Sequence, residues 1–223
     1  MLIWIIVAAS GFLFFAHLLS ELFTIFFRYG YAAKGEFMQG MVIANYFGIA
    51  SRIFITAFGV VAAYLVESGR DVATPYIAMI CAILLAATAA SLVLSAREVG
   101  PTGQGWFNFP AIRLEKALDL PKIRPYEAFL FGVQFVVLAA AYGISFKFPK
   151  YRLTIVSAVP IVTMLGTLIT VVVIEPRYAK IIDKNPSSAT AITRMFLRAR
   201  AVSFLFSSLC LGALLISIVL NSP

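Results

Sequence analysis

Charge is scarce in this chain. Only 13% of its 223 residues are Asp, Glu, Lys or Arg, where an ordinary soluble domain carries about a quarter. Too little polar side chain is present to cover a folded surface in water, so lipid must solvate most of the exterior. Histidine occurs once and cysteine twice. Cys81 and Cys210 both fall in apolar runs, where a thiol acts as a small apolar side chain, so no redox role is expected. A histidine-type membrane phosphatase needs a second histidine and a Pro-Ser-Gly-His-like segment, but the chain offers only Pro186-Ser187-Ser188. Metal-dependent lipid transferases need clustered aspartates, whereas Asp71, Asp119 and Asp183 lie in separate connections. Gly100-Pro101-Thr102-Gly103-Gln104-Gly105 lacks the lysine and serine or threonine of a phosphate-binding loop and follows no strand. The expectation is therefore a protein that is not an enzyme and holds no cofactor or metal.

What the chain has in abundance is apolar length. The apolar share is 61% and the mean hydropathy +0.95. A helix needs about 20 apolar residues to cross roughly 30 Å of hydrocarbon, and six segments reach that length: 2–27, 38–66, 75–96, 126–148, 153–174 and 201–220. The first is too long and wrongly flanked for a signal peptide and reads as a membrane helix. Turn signals at Gly30 and Gly35, at Ser68-Gly69-Arg70-Asp71 and at Phe148-Pro149-Lys150 separate the spans, as does the long stretch 97–124. The expected fold is all-α: a polytopic bundle of six transmembrane helices forming one domain over residues 1–223.

Basic residues set the orientation. Connections after spans one, three and five carry 2, 5 and 6 Lys or Arg, against 1 after span two, 3 after span four when Lys147 at its end is counted, and none at either terminus. The positive-inside bias then leaves both termini outside. The net charge of +8 is gathered at helix ends without interleaved aromatics, so anionic lipid, not nucleic acid, is the expected counter-charge. Residues 111–118 have helical spacing and suit the interface.

Three ionisable groups well inside the spans stand out: His17, Glu21 and Arg52. Each costs about 2.5–3.5 kcal/mol at mid-membrane on insertion scales, so it should face protein or water. His17 and Glu21 are four apart on one helix face, and His17 and Arg52 come out at similar depth. One reading is a structural Glu21–Arg52 ion pair. The other is a polar cavity open to the cytoplasmic side, to which Asn45, Ser51, Thr88, Ser91, Gln134 and Thr170 would contribute. Pro160 frees one backbone carbonyl and predicts a kink in the fifth span. Beyond that span, Glu175, Arg177 and Asp183 surround Pro176, and Arg194 and Arg198 share a face with Arg200 close by. They form either a basic collar or a phosphate clamp.

His17-Leu18-Leu19-Ser20-Glu21, then Asn45 and Ser51-Arg52, then Tyr142-Gly143, Pro149-Lys150-Tyr151-Arg152-Leu153-Thr154 and Ser157, then Glu175-Pro176 with Asp183, follow one another over most of the chain. In this set and order the sequence resembles the Amj-type alternate lipid II flippase family. It departs from the family pattern in the last span, with Ser207-Ser208 and Leu211-Gly212-Ala213 in place of a serine-arginine followed by glycine-threonine. The resemblance implies movement of lipid II, an undecaprenyl-pyrophosphate-linked peptidoglycan precursor, from the inner to the outer leaflet of a bacterial cytoplasmic membrane. It implies Arg52 as the pyrophosphate contact, Glu21 and His17 as its resting partners, and Asn45, Ser51 and Gln134 as groove residues. Glu175, Arg177, Asp183, Arg194 and Arg198 would meet the head group on the cytoplasmic side. Six helices make a small bundle for such a head group, so either a homodimer or a groove open to lipid is expected. Another polyprenyl-phosphate lipid, a small solute, or a non-transporting scaffold are the alternatives.

Overall fold

The computed structural model describes residues 2–68, 72–99, 107–108, 148–151 and 174–220, with scattered positions between 137 and 172. In chain order the elements are α1 (Leu2–Ala32), α2 (Phe37–Ser68), α3 (Ala73–Ser95), β1 (Glu98–Val99), β2 (Phe107–Asn108), a 3-10 turn at Pro149–Tyr151, α4 (Glu175–Lys184) and α5 (Ser188–Leu220). Among the described residues, α1, α2, α3 and α5 are long and apolar enough to cross a membrane. The chain is a helical, multi-pass membrane protein. Most of the expected fourth and fifth spans lies outside the described residues, as do 100–105, 111–118, Gln134, Pro160 and Thr170. Positions described within those spans, such as Val137, Ala141, Thr154 and Val159, are helical, and the helix has ended by Phe148.

Two boundaries differ from the sequence expectation, and tertiary packing is the reason for both. α1 runs straight through Gly30 and ends at Ala32, because Tyr29, Tyr31 and Ala32 are buried at its end. The turn waits for Gly35, whose φ of +77° is a backbone state open to glycine at little cost. α5 begins at Ser188, not near Ala201. Its first half buries Ala189, Ile192, Met195, Phe196 and Ala199 at spacings of three and four, so the helix continues through the three arginines that interrupt its hydropathy.

α1 is the hub. Phe14, Leu18, Leu22 and Phe26 recur every four residues and are wholly buried, against Phe58, Ala62 and Leu65 of α2 and Ile80, Leu84 and Ala87 of α3. Because lipid tails are as apolar as these side chains, close packing and interhelical hydrogen bonds hold such helices together in place of water exclusion. α1 lies chiefly on α2 and α3 chiefly on α5, with α1 also touching α3 and α5. α3 and α5 run antiparallel: Ser91 Oγ donates to the Leu197 carbonyl, while Cys81 and Ser208 each donate to the other's carbonyl. At one end α4 folds back, with Pro176 in its first turn. It buries Tyr178 and Ile182 and exposes Arg177, Lys180, Asp183 and Lys184. Phe196 ties this end together, stacked on Tyr29 at 5.4 Å and edge-on to Tyr178 at 4.9 Å. With Arg28, Lys34, Arg97, Arg194 and Arg198, it is the basic end of the bundle.

At Gly40 the backbone of α2 lies close against the end of α1. A Cβ there would lie 2.6 Å from Tyr31 Cβ and 2.8 Å from the Phe27 carbonyl, neither of which is a mobile side-chain tip. Gly40→Ala should therefore destabilise by about 1–3 kcal/mol. Gly48→Ala, whose Cβ would meet nothing within 4 Å, should leave stability unchanged. Thermal unfolding of both variants in detergent micelles measures the difference.

Candidate functional site

The intramembrane charges meet where α1, α2 and α5 converge. His17 Nδ1 lies 2.8 Å from Ser51 Oγ and 3.1 Å from the Ser51 carbonyl oxygen. Its Nε2 is 4.0 Å from Glu21 Oε1, one helical turn along. Glu21 Oε2 in turn stands 3.3 Å from an Arg200 guanidinium nitrogen. The side chains of His17 and Arg200 are 8% and 9% exposed, that of Glu21 25%. Glu21 is thus the member through which the cluster reaches the outside. Each helix contributes for a local reason. His17 and Glu21 share one stripe of α1 by their spacing of four. Ser51 faces α1 from a buried position on α2, and Arg200 lies on the stripe of α5 that also buries Phe196, Ser203 and Phe204.

The expected Glu21–Arg52 pair does not form. The depth was right, since His17 is level with Ser51. Arg52, however, is one residue farther along α2 and so about 100° farther round the helix, where its side chain is exposed. The carboxylate takes its cation from α5 instead. Nor, among the described residues, do the other polar side chains gather round one vestibule. Ser51 and Ser91 are buried in ties between helices, and Thr88 donates back to Leu84 in its own helix. Asn45 is exposed, seven residues before Arg52 and on the same face of α2, with exposed Thr56 four residues beyond. Gln134 lies outside the described residues.

At the basic end, a cleft of about 260 Å³ opens between the end of α1, the start of α2 and α4, lined by Arg28, Tyr29, Phe37, Met41, Ile182 and Asp183 among others. It includes one expected head-group residue, Asp183, and adds Arg28. Arg177, its guanidinium carbon 5.8 Å from the Tyr178 ring centre, is exposed beside it. Arg198 is also exposed and Arg194 half-buried. Glu175 begins α4. Among the described residues, no three His, Cys, Asp or Glu side chains come together to hold a metal.

Arg200 was legible only as part of a basic run. The signal that places it inside is the apolar period 192, 195, 196, 199, which carries the helix past it.

Removing one partner of such a pair strands the other. Arg200→Met should cost stability towards the lower end of roughly 3–5 kcal/mol, because Glu21 keeps contact with the outside. Adding Glu21→Gln should recover part of that loss. A double-mutant cycle on unfolding in detergent measures the coupling, and additive costs would contradict the pairing. Compared with protein-family models, curated proteins and solved structures, the chain matches none.

Proposed function

We propose that this protein is a flippase that carries lipid II across a bacterial cytoplasmic membrane, with the head group travelling along the outer face of α2. The reading takes the basic end as cytoplasmic, in keeping with the positive-inside bias. The carrying observation is Arg52, midway along α2 and exposed, with Asn45 and Thr56 on the same face. An arginine in that position costs about 2.5–3.5 kcal/mol when it faces hydrocarbon, a cost that a passing pyrophosphate offsets. Its planar fork of donors matches phosphate oxygens two at a time.

The two charged regions then have separate tasks. Arg28, Arg177 and Arg198 attract the anionic head group at the basic end, where the cleft between α1, α2 and α4 offers apolar wall for the first isoprene units. Arg52 shortens the remaining journey by supplying one charged stop in the low-dielectric middle. The polyprenyl tail stays in lipid throughout, which a groove open to the bilayer permits and a sealed central pore does not. The likeness to the Amj-type family, carried by His17, Glu21, Asn45, Ser51-Arg52 and Glu175-Pro176, supports lipid II over other polyprenyl-phosphate lipids.

A labelled lipid II translocation assay in vesicles of purified protein tests the reading. Losing a charged hydrogen bond worth about 1.5–3 kcal/mol should slow translocation by roughly tenfold or more in Arg52→Ala. Arg52→Lys should retain an intermediate rate. Translocation that is absent from wild-type vesicles, or indifferent to Arg52→Ala, would falsify it.

A further inference from the structure

Among the described residues, the polar atoms that His17 meets are acceptors or can serve as acceptors. Nδ1 faces the carbonyl oxygen and the hydroxyl oxygen of Ser51, and Nε2 faces a carboxylate oxygen of Glu21. A carbonyl and a carboxylate can only accept. A neutral ring has one protonated nitrogen. With the proton on Nε2, Nδ1 accepts from the Ser51 hydroxyl yet turns the same lone pair towards the Ser51 carbonyl, and with the proton on Nδ1 the lone pair of Nε2 faces the Glu21 carboxylate. The imidazolium form, donating from both nitrogens, suits both sides.

Among the described residues, the charged groups facing the ring are Glu21 of α1 and Arg200 of α5. α2 brings only the uncharged Ser51, α3 contains no Asp, Glu, Lys, Arg or His, and Phe14 packs beside the ring with centroids 6.4 Å apart. Of the three ionisable members, Glu21 alone has a substantially exposed side chain.

We propose that His17 and Glu21 form a proton-binding site within the membrane, and that its loading loosens the hold of α1 on α5. A proton arriving from outside binds a Glu21 carboxylate oxygen. It then passes to His17 Nε2, the O–H bond breaking as the N–H bond forms, and Glu21 returns to the carboxylate. The carboxylate is now shared between two cations, the imidazolium and Arg200, which repel each other. Arg200 is held less firmly, and α5 with it. Resting on the flippase reading, the site makes the proton the coupling ion: its passage alternately tightens and frees α5 against the helix pair whose outer face carries the head group.

His17 is the only histidine in the chain, so 15N-histidine labelling reports this ring alone. Nitrogen spectra of the full-length protein in lipid bilayers, taken from mildly alkaline to mildly acidic pH, should show the neutral pattern converting to imidazolium. At the pH of half-conversion in the wild type, Glu21→Gln should lower the ratio of imidazolium to neutral ring by about tenfold or more, the effect of losing an adjacent opposite charge. If that variant does not fold, Glu21→Asp, which withdraws the carboxylate by one methylene, should lower the same ratio. A ring that stays neutral throughout, or a conversion that the folded variant leaves unchanged, overturns the proposal. The spectra need no transport. Titration without lipid translocation would therefore remove the flippase reading and leave the proton site, whereas translocation with a silent ring would do the reverse.

Discussion

The arrangement of α1, α2 and α5 depends on a half-buried ion pair, Glu21 with Arg200, and on the His17–Ser51 contact beside it. In a bilayer, apolar helices gain little by exchanging lipid for one another. A carboxylate and a guanidinium have far more at stake, because each is costly when left alone in hydrocarbon. The pair therefore acts as a register mark. It fixes how far α5 slides along α1, and Ser51 fixes α2 at the same level. The aromatic contacts from Tyr29 to Phe196 then bring α4 against the end of the same helices.

From this follows a division between interior and exterior polarity. Several polar side chains of the described interior tie helices together: His17, Ser51, Ser91, Glu21 and Arg200 bridge helices, and Thr24 and Ser203 return hydrogen bonds to their own. Asn45, Arg52 and Thr56 instead face outwards along the middle of α2. An arginine exposed at mid-helix is costly against hydrocarbon, and on the proposed reading an anionic head group offsets that cost.

Much of the fold could be read in the sequence because hydrocarbon thickness is a simple ruler. Spans 38–66 and 75–96 agree with α2 and α3 to within two residues at each end. The ruler failed where charge interrupts a helix that packing sustains. Arg200 ended the apolar window at 201, yet Ile192, Phe196 and Ala199 carry the buried face thirteen residues farther back to Ser188. Hydropathy measures transfer into lipid and does not register that a cation meets a carboxylate on the next helix. The candidate site was half legible for a related reason. The spacing of His17 and Glu21 gave one face, and rise per residue gave the level of Ser51 and Arg52. Rotation about α2 decides which of those two adjacent residues turns inward, and only the packing of Phe58, Ala62 and Leu65 on α1 sets that rotation.

On the proposed reading two lipid-facing surfaces of this protein differ, one meeting a charged head group and the other only acyl chains. Photo-crosslinking residues placed singly at Ile49 and Ile53 on α2, and at Leu85 and Leu92 on α3, all of them exposed, compare the surfaces directly in membranes containing a labelled polyprenyl-pyrophosphate lipid. Labelling confined to the α2 positions, and reduced when Arg52 is replaced by alanine, is the result expected. Equal labelling from α2 and α3, or none that depends on Arg52, would contradict the account.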